Sequence, residues 1–460
     1  MTRASKAPRH LVAQAEETGV VAAITHEGEG IVRDGKTAFV AGALPGERIR
    51  FRRTRRHKQH DDAQLLEVLE PAADRVAPRC AHFGLCGGCA LQHLDPLSQL
   101  GVKQRELQDN LERIARVTPD EWFEPMRGPA WNYRRRARLG VKYVAKKGRV
   151  LVGFRERLAP YIAQLTQCGV LSEPAGTLIT PLAEMITTLS IRDRLPQIEV
   201  AVADNAVALV IRVLAPPTES DLETLRNFEA LHGLRLYLQP AGIDSVQRLA
   251  AGPQGRAEEA PLNYRLPAFD LTLDFKPTDF IQVNGAINEA LVSRAVELLD
   301  PAPGSAVLDL YCGLGNFTLA LARKAGRVVG VEGDRELVRR GGENARRNGV
   351  ANAEFHLADL MQPLARGTPW LASDGAGSYP YVLLDPPRAG AQEMLPTVAR
   401  LAPKRVLYIS CHPGSLARDV GMMVHDHGFR LRAAGVLDMF PHTTHVESLA
   451  VLEPASPSRY

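Results

Sequence analysis

Three short strings in the C-terminal half carry residues able to do chemistry together. Cys411 stands in Tyr408-Ile409-Ser410-Cys411-His412-Pro413, behind an apolar run that reads as a strand. Upstream, Tyr381-Val382-Leu383-Leu384 delivers a rigid acidic loop, Asp385-Pro386-Pro387-Arg388. Earlier still, Asp309-Leu310-Tyr311-Cys312-Gly313-Leu314-Gly315-Asn316 is a strand end followed by a Gly-x-Gly turn, where a nucleotide can approach the backbone. This order predicts methyl transfer from S-adenosylmethionine by a protein that brings its own nucleophile. Amines and oxyanions attack a sulfonium methyl unaided, but a carbon inside a pyrimidine ring is too weak a nucleophile. A thiolate that adds to the neighbouring ring carbon makes an enolate, which can attack. Cys411 therefore narrows the substrate as well as the reaction.

Other residues fall into place around this core. Val328-Val329-Gly330-Val331-Glu332 ends in a carboxylate suited to ribose hydroxyls, the alternative being an exposed strand end. Thr318 occupies the place of the third glycine of a dinucleotide fingerprint. Asp359 ends a further apolar run and is a candidate for the adenine amino group, though alone it reads equally as a plain strand end. Asp385 is expected between cofactor and base. Cys312 is expected to be a small buried side chain without a chemical role.

The elements that position these residues form the last of three expected parts. A length of 460 residues suits two to four domains, and an apolar fraction of 45% allows large cores. No run approaches the ~18 apolar residues of a membrane span. The basic start, Met1-Thr2-Arg3-Ala4-Ser5-Lys6, leads into no apolar segment, so a cytoplasmic protein without a secretory signal is expected. The net charge of +4 decides nothing, but its distribution is uneven. Arg48, Arg50, Arg52, Arg53, Arg55, Arg56 and Lys58 crowd one stretch. Arg134, Arg135, Arg136 and Arg138, then Lys142, Lys146, Lys147 and Arg149, form a second, with Trp131, Tyr133 and Tyr143 interleaved. Both suit phosphate and base contacts, and both also suit solvated strand faces.

Residues 12–70 read as a small all-β module. Asp34-Gly35 makes a hairpin turn, and Leu44-Pro45-Gly46-Glu47 leads into a strand with Ile49 and Phe51 on one face and arginines on the other. Residues 71–267 read as α+β. Hairpins are expected over 139–155 and 198–213, with helices over 95–116 and from Ser220, as N-cap with Glu223, to Gly233. From 268 to 460, alternating strands and helices predict a doubly wound α/β sheet whose ligands lie beyond the C-terminal strand ends. A frayed tail is expected from Pro454.

Six cysteines remain to be placed. Cys80-x5-Cys86-Gly87-Gly88-Cys89 puts three thiols within ten residues, and Cys168 can supply a fourth. Four thiolates suit zinc or a [4Fe–4S] cluster, and ligand type alone leaves both open.

The string from Cys80 through Cys89 to Gln92-His93 resembles the iron–sulfur motif of the RNA uracil carbon-5 methyltransferases. The turn Gly42-Ala43-Leu44-Pro45-Gly46-Glu47 resembles that of the TRAM domain, an RNA-binding OB-like barrel. Together they resemble the bacterial 23S ribosomal RNA branch of the family, over nearly the whole chain. The resemblance implies a TRAM barrel, a central α+β domain with a [4Fe–4S] cluster on Cys80, Cys86, Cys89 and Cys168, and a Rossmann-like S-adenosylmethionine-dependent methyltransferase domain. Phe280-Ile281-Gln282-Val283-Asn284 and Asn288-Glu289 resemble the family's cofactor segment, implying that Gln282 meets the methionine moiety. Tyr311 and Asn316 match cofactor-contacting positions. His445-Val446-Glu447 resembles the motif whose Glu removes the carbon-5 proton, and Cys411 matches the nucleophile. The family string there is Ser-Cys-Asn-Pro, so His412 departs from it, and a nearby His can alternatively influence thiolate formation. The resemblance implies 5-methyluridine formation in 23S ribosomal RNA by a monomer. The rival within the family methylates the T-loop uridine of transfer RNA, in a branch usually without TRAM module and cysteine cluster. The rival outside it is a non-catalytic RNA-binding assembly factor.

Overall fold

The computed structural model describes residues 15–157, 159–252, 259–362, 368–372 and 378–455. The basic N-terminal string, the start of the barrel at 12–14 and the end of the expected tail, 456–460, lie outside the described residues. The chain forms two compact units, Met1–Gly84 with Gly88–Val102 and His442–Thr444, and Leu85–Gly87 with Lys103–Pro441 and His445–Tyr460.

The first unit is built on β1 (Glu17–Ile24), β2 (Glu29–Val32), β3 (Ala38–Ala41), β4 (Arg48–Arg56) and β5 (Asp61–Glu70). They close into a barrel in the order β1-β2-β3-β5-β4, with β3 and β5 parallel. Ile49 and Phe51 point into its core with Val21, Val32 and Val40, as the alternation in β4 predicts. Gly46 turns the chain at φ 85°, a conformation that only glycine takes without strain. The basic outer face is largely neutralised, because flanking strands set carboxylates opposite it. The register pairs Arg50 with Glu67 and Arg48 with Glu70, and Arg52 reaches Glu16 at 2.9 Å. Arg53 breaks the alternation and is only 10% exposed, held by Glu17 at 2.8 Å and Asp61 at 3.1 Å.

The helix expected over 95–116 is α1 (Pro96–Asn110), prolonged by a π-helical turn, Leu111–Ala115, and stopped by Arg116 at φ 54°. Leu100, Leu107 and Leu111 are buried, whereas Leu97, in the first turn, is exposed, and so is Ile114, where the wider turn shifts the helical phase. After β6 (Glu121–Trp122), the expected hairpins appear as β7 (Arg136–Val144) with β8 (Arg149–Gly153), and β9 (Gln197–Val202) with β10 (Val207–Arg212). α2 (Ile179–Thr188) lies between them. β10 is buried from Val207 through Ile211, not on one face only, because it lies between β9 and a parallel neighbour with both faces covered. α3 (Glu219–His232) starts two residues before the expected position. Thr218, not Ser220, is the N-cap, and Asp221, not Glu223, closes the capping box; Gly233 ends the helix at φ 63° as expected. With β11 (Leu234–Gln239) and β12 (Gln247–Arg248), these strands form a sheet in the order β12-β11-β10-β9-β7-β8. The second basic run is mostly spent inside this unit. Arg135 pairs with Asp204 at 2.9 Å and Arg138 with Glu199 at 3.0 Å, while Arg136 is half-buried beside Glu199. Lys142, Lys146, Lys147 and Arg149 stay exposed around the hairpin tip.

β13 (Leu262–Leu266) and β14 (Leu271–Phe275) form a hairpin before the α/β region. There follow α4 (Gly285–Leu299), β15 (Ala306–Leu310), α5 (Thr318–Ala322), β16 (Arg327–Glu332), α6 (Arg335–Arg347), β17 (Ala353–Leu357), α7 (Pro369–Ala372), β18 (Tyr381–Leu384), α8 (Leu395–Leu401), β19 (Arg405–Ser410), α9 (Pro413–His425), β20 (Phe429–Leu437) and β21 (Glu447–Pro454). The sheet order is β17-β16-β15-β18-β19-β21-β20-β6. Strand order reverses between β15 and β18, which makes their C-terminal ends the expected ligand crevice. β18 lies between parallel β15 and β19, and it is apolar throughout, as an interior strand covered on both faces must be. Each fully buried Val or Leu there contributes about 1.5–3 kcal/mol. Pro454, expected to begin a frayed tail, is instead paired with Phe429 in the sheet. Among the described residues, no helix is long and apolar enough to cross a membrane.

Candidate active site

The C-terminal ends of β15, β16, β18 and β19 and the start of β21 surround a cavity of about 680 Å³, within the usual range for small-molecule sites. Gln282, Tyr311, Asn316, Glu332, Asp359, Asp385, Cys411 and Glu447 all line it. The sheet explains why residues so far apart in sequence meet. Ser410 at the end of β19 pairs with Ser448 in antiparallel β21, so the next step of the register sets Cys411 beside Glu447. Leu384 pairs with Tyr408, and the adjoining Asp385 amide donates to the Leu310 carbonyl at 3.3 Å, which brings the acidic loop alongside.

The glycine turn forms one wall. Gly313 has φ 57° with open space where a side chain would project, and Gly315 has φ 98° with a Cβ position only 3.0 Å from Phe355. Tyr311 adopts φ 66°, a strain of about 1–3 kcal/mol for a non-glycine residue, and its hydroxyl donates to the Leu360 carbonyl at 3.1 Å. Glu332 accepts from the amides of Gly313 at 3.1 Å and Gly333 at 2.8 Å, tying the turn to β16. Asn316 exchanges two hydrogen bonds with Asn288, at 2.9 and 3.0 Å, and accepts a third from the Tyr264 hydroxyl. Thr318 does more than replace a glycine: its hydroxyl donates to buried Asp309 at 2.5 Å. Burial pushes Asp309 up to about 7 against that hydrogen bond, with Asp385 and Glu332 adding to the rise. Cys312 is buried, as expected, and its thiol is pushed far up by that burial.

The far end of the cavity holds a chain of mutually sensitive groups. Burial pushes Asp385 up to about 7. Burial, then the neighbouring Asp385, raises Glu447 well above the carboxylate range. Burial pushes the Cys411 thiol up to about 11; Glu447 and Asp385 add to this and the Arg388 guanidinium opposes it. Arg388 also donates from Nη2 to His445 Nδ1 at 3.0 Å, and burial followed by the cations Arg388, Arg134 and Lys103 holds His445 below its ordinary value. His445 is therefore a neutral acceptor that helps aim Arg388. His412 turns away from the thiol: its Nδ1 accepts from the Ser415 amide at 3.1 Å and caps α9. An Asn would do the same work, so the departure from the family string preserves the N-cap and does not tune Cys411.

Removing a negative neighbour must make the Cys411 thiolate easier to form, and removing the cation must make it harder. In iodoacetamide labelling followed by peptide mass spectrometry, with Cys411→Ala as blank, Glu447→Gln is expected to move the midpoint of labelling with pH below that of the parent. Arg388→Ala is expected to move it above. The reverse order would show that these groups do not set the thiol.

Sequence reasoning missed Tyr264, Phe440 and Lys103. Tyr264 lies on the inward face of β13, a position its alternation could have flagged. Buried Lys103 holds Asp438 at 2.6 Å and the Phe440 carbonyl at 2.9 Å, fixing the segment that leads to His445; nothing local in the sequence signals this pair. The cysteines of the expected cluster are all half-buried, and none of the six in the chain forms a disulfide. Within the second unit, Cys86 and Cys168 border the same small core of Ala163, Leu165 and Ile179. In the first unit, the Cys80 amide donates to Gln92 Oε1 at 3.1 Å.

Comparison with known proteins agrees with this arrangement. Residues 258–455 match the family described as tRNA (uracil-5-)-methyltransferase. A protein of Alkalilimnicola ehrlichii named 23S rRNA (uracil(1939)-C(5))-methyltransferase RlmD is 51% identical over 94% of this chain and 95% of its own. A protein of the same name from Xanthomonas axonopodis pv. citri is 48% identical over the same shares. The crystal structure of Pyrococcus abyssi tRNA (uracil-54, C5)-methyltransferase with S-adenosyl-L-homocysteine superposes with a TM-score of 0.72 at 24% identity, covering 95% of this chain and all of that one, and so shares the fold. With the fold, the paired Cys411 and Glu447 and relatives at about half identity in hand, the chain belongs to the RNA uracil carbon-5 methyltransferase family.

Proposed function

We propose that this protein methylates carbon 5 of a uracil in 23S ribosomal RNA, at the position that the names of its relatives give as uracil 1939. The observation that carries the reading is the register of β19 with β21, which sets a thiol and a carboxyl side by side at a cavity walled by a glycine turn. Bound S-adenosylmethionine supplies an electrophilic methyl group. Its expected contacts are Gln282, Tyr311, Asn316, Glu332 and Asp359, and the open space beside Gly313 fits a ligand lying against the backbone there. Cys411 adds to carbon 6 of the uracil, which makes carbon 5 nucleophilic toward the methyl group; Glu447 then takes the carbon-5 proton, and the electron pair left restores the C5–C6 double bond as the Cys411 thiolate leaves carbon 6. Asp385 lies between base and cofactor. A base in folded RNA reaches such a cavity by flipping out of its stack.

The division of the chain proposed here is an RNA-contacting barrel over 12–70, a central α+β part over 71–267 and the methyltransferase part over 268–460. The barrel contributes less free positive charge than its sequence suggests, so the exposed cations around Lys146 share the RNA contacts. Cys80, Cys86, Cys89 and Cys168 hold a [4Fe–4S] cluster with a structural role, supported by four half-buried thiols outside any disulfide. Protein purified without air is expected to be brown, with about four iron atoms per chain. Stoichiometric zinc without iron would remove the cluster.

The test of the function is methyl incorporation from radiolabelled cofactor into unmodified RNA. A 23S fragment containing the target uridine is expected to accept methyl groups, and a transfer RNA transcript to accept none. Labelling confined to the transfer RNA would move the assignment to the T-loop branch. A folded protein that labels neither would favour the non-catalytic reading.

A further inference from the structure

The turn joining β4 to β5 carries a cluster that the methylation chemistry does not use. His57 Nε2 lies 3.0 Å from Asp62 Oδ2, and His60 Nε2 lies 3.9 Å from Asp62 Oδ1. One ligand atom from each of the three lies within 4.8 Å of the others. Around a tetrahedral ion with bonds of about 2.0–2.1 Å, ligand atoms sit about 3.3 Å apart, so closing the site takes shifts of about 1 Å. The side chains are 32%, 32% and 42% exposed, which leaves room for such shifts. The backbone beneath them is already fixed, because the His57 amide donates to the His60 carbonyl at 3.0 Å and Phe39 stacks on His60 at 4.4 Å.

Charge distribution separates this cluster from an ordinary surface ion pair. Asp61, the adjacent carboxylate, is taken by Lys36 at 2.6 Å and Arg53 at 3.1 Å. Asp62 is paired, among the described residues, only with the two imidazoles. With the proton of each ring on Nδ1, both Nε2 atoms face Asp62; the two rings are stacked with centroids 4.5 Å apart and planes 22° from parallel, so one ring must turn for both lone pairs to meet a single ion.

We propose that His57, His60 and Asp62 form a divalent-metal site of the zinc class on this turn. Two imidazoles with one carboxylate suit zinc and its neighbours among the transition metals, whereas magnesium and calcium prefer all-oxygen sets. Three protein ligands leave at least one position to water. Arg55, Arg56 and Lys58 share the turn and repel a cation, which places the affinity in the range of an exchangeable site rather than a permanent structural one.

Zinc chloride is titrated calorimetrically into the full chain with its cysteine cluster loaded, for the parent, His57→Ala/His60→Ala and Asp62→Asn. The parent is expected to take one more zinc per chain than the double variant, with Asp62→Asn weakening that binding at least about tenfold. Cobalt in place of zinc is expected to give weak visible bands without the intense near-ultraviolet absorption of a thiolate ligand, which separates this site from the cysteines. Equal zinc uptake and affinity in all three proteins overturns the proposal, as does a cobalt spectrum with thiolate absorption alone. Should loss of the His60 ring from Phe39 unfold the barrel, circular dichroism reveals it, and the near-isosteric Asp62→Asn then decides.

Discussion

Cys411→Ala is expected to abolish methyl transfer while binding of S-adenosylmethionine persists. The glycine turn with Glu332 and Asp359, proposed to meet the cofactor, lines the cavity from β15, β16 and the loop after β17, whereas Cys411 stands at the end of β19. Losing a half-buried thiol leaves a void of a few atoms and costs little stability. Its chemical cost is of another order. Without addition to carbon 6, carbon 5 has no enolate behind it, and no other described thiol lines the cavity except buried Cys312, whose ionisation burial strongly opposes. A fall of more than about 10³-fold, or some 4 kcal/mol of barrier, is expected in single-turnover methylation. Equilibrium dialysis with labelled cofactor should give the parent affinity within a few-fold. Retained turnover would mean a route without this nucleophile, and joint loss of cofactor binding would mean a collapsed site.

How much of this was legible in the sequence differs between elements for physical reasons. The α/β strands were readable because a parallel sheet buried on both faces demands unbroken apolar runs, as in Tyr381–Leu384 and Arg405–Ser410. Gly313 and Gly315 announced a turn because only glycine takes their conformations cheaply. Long-range pairing was not readable. The β4 arginines look like an open cationic face until β1, with Glu16 just before it, and β5 place Glu16, Glu17 and Glu67 opposite them. Nothing near Lys103 foretells Asp438, since that pair depends on packing of segments 335 residues apart. The capping of α3 was read two residues late because Thr218 and Ser220 are both competent caps, and the packing of Asp221 against Ser190 chooses between them. His412 was legible as a departure from a motif but not as a cap, which needed the course of α9.

Glu447→Gln should stall the enzyme rather than silence it. Glutamine keeps the size of the side chain at the start of β21, and in a site that already disfavours a charge it should be well tolerated. Where Glu447 is ionised, its charge is, after burial, the largest influence raising the Cys411 thiol, so an amide in its place does not oppose thiolate formation and does not slow addition. Addition and methylation both precede proton removal, and an amide cannot accept that proton. The thioether to an already methylated uridine should therefore accumulate, visible on denaturing gels as a slow band containing both RNA and protein. The band should require cofactor and should vanish in Cys411→Ala/Glu447→Gln. The same logic sets the pH dependence of the parent enzyme. Burial and Asp385 hold the Glu447 proton on well above the ordinary carboxylate range, so release of the adduct needs ionisation that becomes easier as pH rises. Breakdown of the parent adduct should accelerate as pH rises above the ordinary carboxylate range, whereas the Glu447→Gln adduct should persist. A Glu447→Gln protein that turned over at the parent rate without a band would assign the proton to another base, and Asp385, pushed up to about 7 in the same cavity, would be the first to test.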